Sequence, residues 1–107
     1  MKKYLIKASY NSNGVKGLMQ DGGSKRRSEV QKMMEAVGGK LESFYYAFGE
    51  HDAYITVELP DDVTAAAVIM RVNSSGLVSI STTVLLTPED VDAASKKSVS
   101  YRAPGEK

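Results

Sequence analysis

The sequence predicts an α+β fold in which two helices cover one face of a four-stranded antiparallel sheet. Four segments alternate between two sets of residues with a period of two, which is typical of strands. Two longer segments carry apolar residues at helical spacing, which predicts helices with one buried stripe. The order is strand, helix, strand, strand, helix, strand. With right-handed crossovers this order gives the ferredoxin-like βαββαβ plan.

The first strand is predicted near residues 3–10, because every second residue from Tyr4 onward is apolar or aromatic. Asn11-Ser12-Asn13-Gly14 has the composition of a turn. The apolar spacing from Val15 to Met19 predicts one or two helical turns after it, and Asp21-Gly22-Gly23 ends them.

A longer helix is predicted near residues 24–37. Ser24 is a candidate N-cap, since its hydroxyl can accept a main-chain hydrogen bond at a helix start. Apolar residues recur at i, i+3, i+4 and i+7 from Val30 to Val37. Gly38-Gly39 then ends the helix, because glycine readily adopts the left-handed conformation found there.

Two further strands are predicted near residues 40–48 and 52–59, where the period of two returns. Gly49-Glu50-His51 separates them, so a hairpin connection is expected. A helix near 61–73 follows, for which Asp61 or Asp62 supplies a cap and a negative charge at the positive end of the helix dipole.

The last strand is predicted near residues 77–86. Thr87-Pro88-Glu89-Asp90 combines a threonine cap, proline at the first helical position and an acid at the third, which predicts a short helix near 88–96. We assign residues 1–96 to one domain and residues 97–107 to a C-terminal tail or arm.

Composition excludes several classes of function. A formal net charge of +1 over 107 residues argues against a dedicated nucleic-acid binder. The chain has no cysteine and one histidine, so we expect no disulfide, no metal site and no cofactor. No apolar stretch is long enough for a membrane span, and no secretion signal follows Met1. We therefore expect a cytoplasmic protein.

The stretch VGGKLESFYYAFGEHDAYITVELPDD resembles the GYD domain family of small bacterial proteins, which is named for a Gly-x-Tyr-Asp turn between the second and third strands. Gly49 and Asp52 match that motif, and His51 stands where the motif has tyrosine. TTVLLTPEDVDAA and KKSVSYRAPG extend the resemblance over nearly the whole chain. The resemblance implies a dimeric α/β-barrel, in which two ferredoxin-like sheets pack face to face, and no assigned catalytic residue or substrate.

His51 and Asp52 are the first candidates for a site. A histidine bonded to a carboxylate is a common acid–base pair, but adjacent strand residues point to opposite faces. We therefore interpret Asp52 as a turn residue that accepts hydrogen bonds from main-chain amides, and His51 as a partly solvated residue at the barrel mouth. Gly49 is expected to supply conformational freedom in this turn.

A second candidate is a weak anion site at the start of the longer helix. Glycines that precede a helix expose main-chain amides at the positive end of its dipole. Three cations follow the glycines, although a solvated basic turn is the commoner explanation. The residues concerned are Gly22, Gly23, Ser24, Lys25, Arg26 and Arg27.

The third candidate is the sheet face away from the helices. Parity places Lys7 with Tyr54 and Glu58 on that face, and we predict Lys7 and Glu58 to be an interface pair, in reach of each other or of a partner chain. Parity leaves open whether Phe44, Tyr46 and Phe48 join them, or Ser43 and Tyr45. Such a semi-polar, aromatic surface suits a dimer interface or an enclosed cavity.

Two functions fit these observations. One is a non-catalytic module that forms a homodimer, or a larger homo-oligomer, and binds a small molecule or none. The other is a cofactor-independent enzyme of the oxygenase or isomerase type, with His51, Glu58, Tyr46 and Tyr54 lining its pocket. Neither needs a nucleic acid or a membrane as partner.

Overall fold

Four strands and four helices make up the computed structural model, which describes residues 1–107. They are β1 (Lys2–Tyr10), α1 (Ser12–Asp21), α2 (Gly23–Ala36), β2 (Lys40–Tyr46), β3 (Ala53–Leu59), α3 (Asp62–Ser74), β4 (Val78–Leu85) and α4 (Pro88–Ser95). The predicted strands and the three longest predicted helices lie within two residues of these bounds.

The sheet has the strand order β2-β3-β1-β4, and every neighbouring pair is antiparallel. The predicted ferredoxin-like fold is therefore confirmed. The central strands pair with Ile6 opposite Ile55, and β1 pairs with β4 so that Ala8 lies opposite Ile80. A bulge between Leu41 and Ser43 shifts the register of β2 against β3.

One face of the sheet forms the core with α2 and α3. The alternation along β1 and β3 places every second side chain on this face, where Val30 and Met34 of α2 and Ala65 and Val68 of α3 pack against them. The buried strand residues are Tyr4, Ile6, Ala8, Ala53, Ile55, Val57 and Leu59.

No helix covers the other face, which we call the open face. Its side chains are Lys3, Leu5, Lys7 and Ser9 on β1, Lys40, Glu42, Ser43 and Tyr45 on β2, Tyr54, Thr56 and Glu58 on β3, and Ser79, Ser81, Thr83 and Leu85 on β4. Of the two alternatives that parity left open, Ser43 and Tyr45 lie on this face.

Helix starts differ from the predictions at two places. Ser24 lies inside α2 and does not cap it. Gly22, with φ 88°, precedes the helix, and no side chain caps it. α1 has ten residues and not one or two turns, because the side chain of Asn11 accepts a hydrogen bond from the amide of Gly14 at 2.8 Å.

The other two helix starts follow their local sequence. Asp61 caps α3 by accepting a hydrogen bond from the amide of Thr64 at 2.8 Å. Thr87 and Asp90 form a reciprocal capping box at α4, with both hydrogen bonds at 3.0 Å.

The C-terminal segment, which we define as residues 88–107, lies outside this packed body. Every residue from Pro88 to Arg102 is exposed, and residues 97–107 contain no helix or strand. The chain is 61 Å long but only 31 by 23 Å across. Its radius of gyration is 17.4 Å, against about 13 Å for a compact domain of this length.

Candidate functional site

The open face carries an ion-pair network at one end. Lys3 Nζ lies 2.5 Å from Glu42 Oε1 and 3.3 Å from Glu58 Oε1, and Lys40 Nζ lies 3.6 Å from Glu58 Oε2. The hydrogen bond from Lys3 holds the pKa of Glu58 below its usual value, and the bond to Glu42 raises the pKa of Lys3. Two carboxylates and two ammonium groups make this end neutral.

A bulge in β2 brings Ser43 to the open face next to Glu42. Lys40 lies opposite Glu58, and Ser43 lies opposite Thr56, so Glu42 is the extra residue of the bulge and has no partner on β3. Strict alternation would have directed Glu42 to the same face as Lys40 and left Ser43 with the core. The sequence carries no local signal for this insertion.

The opposite end of the open face brings Ser9, His51 and Tyr54 together. Ser9 Oγ lies 3.3 Å from His51 Nδ1, and the rings of His51 and Tyr54 meet edge to face with centroids 5.8 Å apart. A hydroxyl within hydrogen-bond distance of an imidazole is an arrangement that can transfer a proton. Sequence reasoning missed the contact with Ser9, because His51 lies in the loop before β3.

Asp52 holds this loop to the sheet. Its carboxylate accepts a hydrogen bond from the main-chain amide of Tyr10 at 2.7 Å, and its own amide donates to Ala8 O at 2.8 Å. The acceptor role matches the interpretation of Asp52 as a turn residue, but the donor belongs to β1 and not to the loop. His51 and Asp52 make no hydrogen bond to each other.

The left-handed residue of the loop is Phe48, with φ 56°, and not Gly49. Gly49 itself adopts no positive φ, and its expected contribution of conformational freedom to the turn stays a prediction. The Phe48 ring stacks on Tyr46 with centroids 5.9 Å apart, and this contact offsets part of the strain of the left-handed conformation.

Tyr46 does not line the open face. It lies on the helix side, where its hydroxyl donates to Gly23 O at 3.2 Å and its ring lies 5.0 Å from that of Phe44. Burial raises its pKa, so it stays protonated well above neutral pH. The hypothesis of a single pocket containing Tyr46, Tyr54 and His51 is therefore wrong.

Lys7 and Glu58 share the open face but do not pair within the chain. Lys7 lies opposite Tyr54 on β3 and Ser81 on β4, whereas Glu58 lies opposite Lys3. Lys7 takes part in none of the six ion pairs of the chain. The predicted contact of either residue with a partner chain stays a prediction.

The basic residues at the start of α2 are partly engaged by contacts within the chain. Lys25 lies 4.0 Å from Asp21, and the amide of Gly22 donates to Leu18 O at 2.7 Å. Arg26 lies against a small apolar cavity between the helices and the sheet, whose volume is about 30 Å³. Gly23, Ser24 and Arg27 border a shallow hollow beside Phe44 and Tyr46. Anion binding at this turn stays a prediction.

The chain has no group of three or more histidine, aspartate or glutamate side chains placed to hold a metal ion. None of its helices combines the length and apolar character that crossing a membrane requires.

The sequence model of the GYD domain matches residues 4–95, which include β2, β3 and β4, all but the first two residues of β1, and the loop with Gly49 and Asp52. The chain belongs to the GYD domain family. No curated protein sequence matches it. Within this GYD domain, Asp52 holds the name-giving turn against β1, and the side chain of the variant residue His51 faces Ser9 and Tyr54.

Proposed function

We propose that this GYD domain is a non-catalytic homo-oligomeric module whose basic unit is a dimer formed through the open face. The proposal is supported by two properties of that face, its exposure and its balance of charge. No helix covers it, and its acids are already neutralised by Lys3 and Lys40. Uncovered sheet faces of this kind are commonly buried by a second layer.

The side chains of the open face suit a protein interface. Leu5 and Leu85 are already half-buried in the single chain, whereas Tyr45 is 71% exposed. Tyrosine is enriched in interfaces because its ring is apolar and its hydroxyl group can form a hydrogen bond. Six of the remaining positions are serine or threonine, which pack without leaving a buried charge.

A matched pair of substitutions tests the dimer. Tyr45 on the open face and Met70 on α3 are each 71% exposed, so glutamate at either position should leave the isolated fold intact. We expect Tyr45→Glu to weaken the dimer strongly and Met70→Glu to leave it unchanged. Sedimentation equilibrium measures both. A wild-type chain that is monomeric at about 100 μM, where a weak dimer would assemble, contradicts the proposal.

A second candidate function is a cofactor-independent enzyme, and the contact between Ser9 and His51 favours it. In that case His51 would act as the base and Ser9 would orient its ring, with Tyr54 beside them. Native mass spectrometry of the protein purified from its own host tests this candidate. A retained small molecule that is lost in His51→Tyr, with the assembly intact, would support the enzyme.

A further inference from the structure

We propose that the open face holds a binding site for a small organic carboxylate, centred on Lys7; this site rests on the face-to-face dimer proposed above. Lys7 lies in the middle of the sheet, between Tyr54 on β3 and Ser81 on β4. Its side chain is half-buried in the single chain, and no carboxylate pairs with it.

The acidic residues of the open face form ion pairs with other lysines. Glu42 and Glu58 pair with Lys3 and Lys40 at the far end of the face. Lys3 and Lys7 are four residues apart on one strand, which is about 13 Å. Asp52 accepts a hydrogen bond from the main-chain amide of Tyr10 and takes part in no ion pair. No carboxylate of the chain therefore lies within ion-pair distance of the Lys7 ammonium group.

The groups around Lys7 are suited to a carboxylate with a planar apolar body. Tyr54 and Ser81 lie directly opposite Lys7 on the two neighbouring strands, and their hydroxyl groups can donate hydrogen bonds to a carboxylate. Tyr45 lies directly opposite Tyr54 on the open face, so a second aromatic side chain is available next to this position.

Dimerisation and carboxylate binding are coupled in this arrangement. A second chain on the open face would bury the Lys7 ammonium further, and a buried charge without a partner is costly. A bound carboxylate removes that cost. By linkage, a carboxylate that binds the dimer better than the monomer tightens the dimer.

The experiment measures the dimer dissociation constant of the full chain by sedimentation equilibrium, with and without benzoate. Benzamide serves as the neutral analogue and inorganic phosphate as an anion without a ring. We expect benzoate, at ten times its own Kd, to tighten the wild-type dimer at least about tenfold. Benzamide and phosphate should have much smaller effects.

Three variants test whether the effect of benzoate on the dimer depends on Lys7. Lys7→Met should form a tight dimer without benzoate and should no longer respond to it, because the buried charge is gone. Lys7→Arg should keep the benzoate response, since it keeps the charge. Lys16→Met is the control, because Lys16 is exposed on α1 and forms no ion pair. It should behave as wild type.

Several outcomes would overturn the site. Equal effects of benzoate and benzamide would show that charge is not recognised, and an equal effect of phosphate would contradict an apolar body in the ligand. A Lys7→Met dimer that is weaker than wild type without benzoate would show that a carboxylate of the partner chain neutralises Lys7. In those cases the proposed dimer is retained, and only the proposed carboxylate site is ruled out. A wild-type chain that stays monomeric with and without benzoate overturns both proposals.

Discussion

The carboxylate of Asp52 accepts a hydrogen bond from the main-chain amide of Tyr10, 2.7 Å away, just beyond the last residue pair of β1 and β3. The side chain thus continues the ladder of the two central strands by one bond. We expect Asp52→Ala to lower the free energy of unfolding by about 1 to 2 kcal/mol, because the amide loses its acceptor.

Urea unfolding checks this value, and Asp52→Asn is the matched control. Asparagine keeps an oxygen that can accept the same bond, so it should cost less than half as much as alanine. Equal costs for the two variants would show that the lost charge matters and the hydrogen bond does not.

His51→Tyr should change the free energy of unfolding by no more than about 0.5 kcal/mol. The loop is held by main-chain bonds, from the Ala47 amide to Asp52 O at 2.9 Å and from the Asp52 amide to Ala8 O at 2.8 Å. Neither bond involves the His51 ring. Urea unfolding and the mass of the assembly should both match wild type, and a loss above about 1 kcal/mol would show that the contact with Ser9 supports the loop.

Two glycines of α1 should respond to alanine in opposite directions. A Cβ at Gly14 would lie 2.3 Å from the main-chain oxygen of Leu77, whereas a Cβ at Gly17 would meet no atom within 4 Å. We expect Gly14→Ala to cost about 1 to 3 kcal/mol through overpacking. Gly17→Ala should stabilise by up to about 1 kcal/mol, because alanine favours helix.

Thermal unfolding followed by circular dichroism distinguishes the two variants. If both raised the midpoint temperature, the close approach of α1 to the residue before β4 would not exist in solution.

Tyr4 should make the fold sensitive to alkali. Burial, together with the 2.6 Å hydrogen bond to Asp62, raises the pKa of Tyr4 to about 12 from an ordinary 10.0. The folded chain therefore holds this proton more tightly than the unfolded chain does. The resulting stability is fully present below pH 10 and is lost as the pH rises from 10 toward 12.

Tyr4→Phe tests this assignment, because it removes the titrating group and keeps the ring. We expect a cost of about 1 kcal/mol at neutral pH, from the lost hydrogen bond, and a shallower loss of stability above pH 10. Urea unfolding at a series of pH values measures both. Parallel curves for wild type and variant would show that other groups cause the alkaline loss.

Much of the fold could be predicted because its determinants are local. Buried and more exposed residues alternate clearly along β1 and β3, because both strands are central and bury one face only. Thr87 and Asp90 cap α4 with bonds that span three residues. The length of α1 was underestimated, because its start depends on Asn11, which also bonds to Leu77 O near the distant β4.

The site was harder to predict, because it depends on relationships between strands. The bulge at Glu42 sets which side chains of β2 share a face with β3, and single-strand parity cannot reveal it. For this reason Tyr46 entered the predicted pocket although it faces the helices. The contact between Ser9 and His51 depends on how the loop at residues 47–52 closes over β1, where the period of two no longer applies.

The projecting C-terminal segment affects how the molecule moves through solvent. A chain 61 Å long and 31 by 23 Å across has more friction than a sphere of the same 11.6 kDa mass. It therefore leaves a gel-filtration column early, and a monomer can be mistaken there for a dimer. Methods that report mass independently of shape, such as sedimentation equilibrium and light scattering, are the ones that can decide how many chains associate.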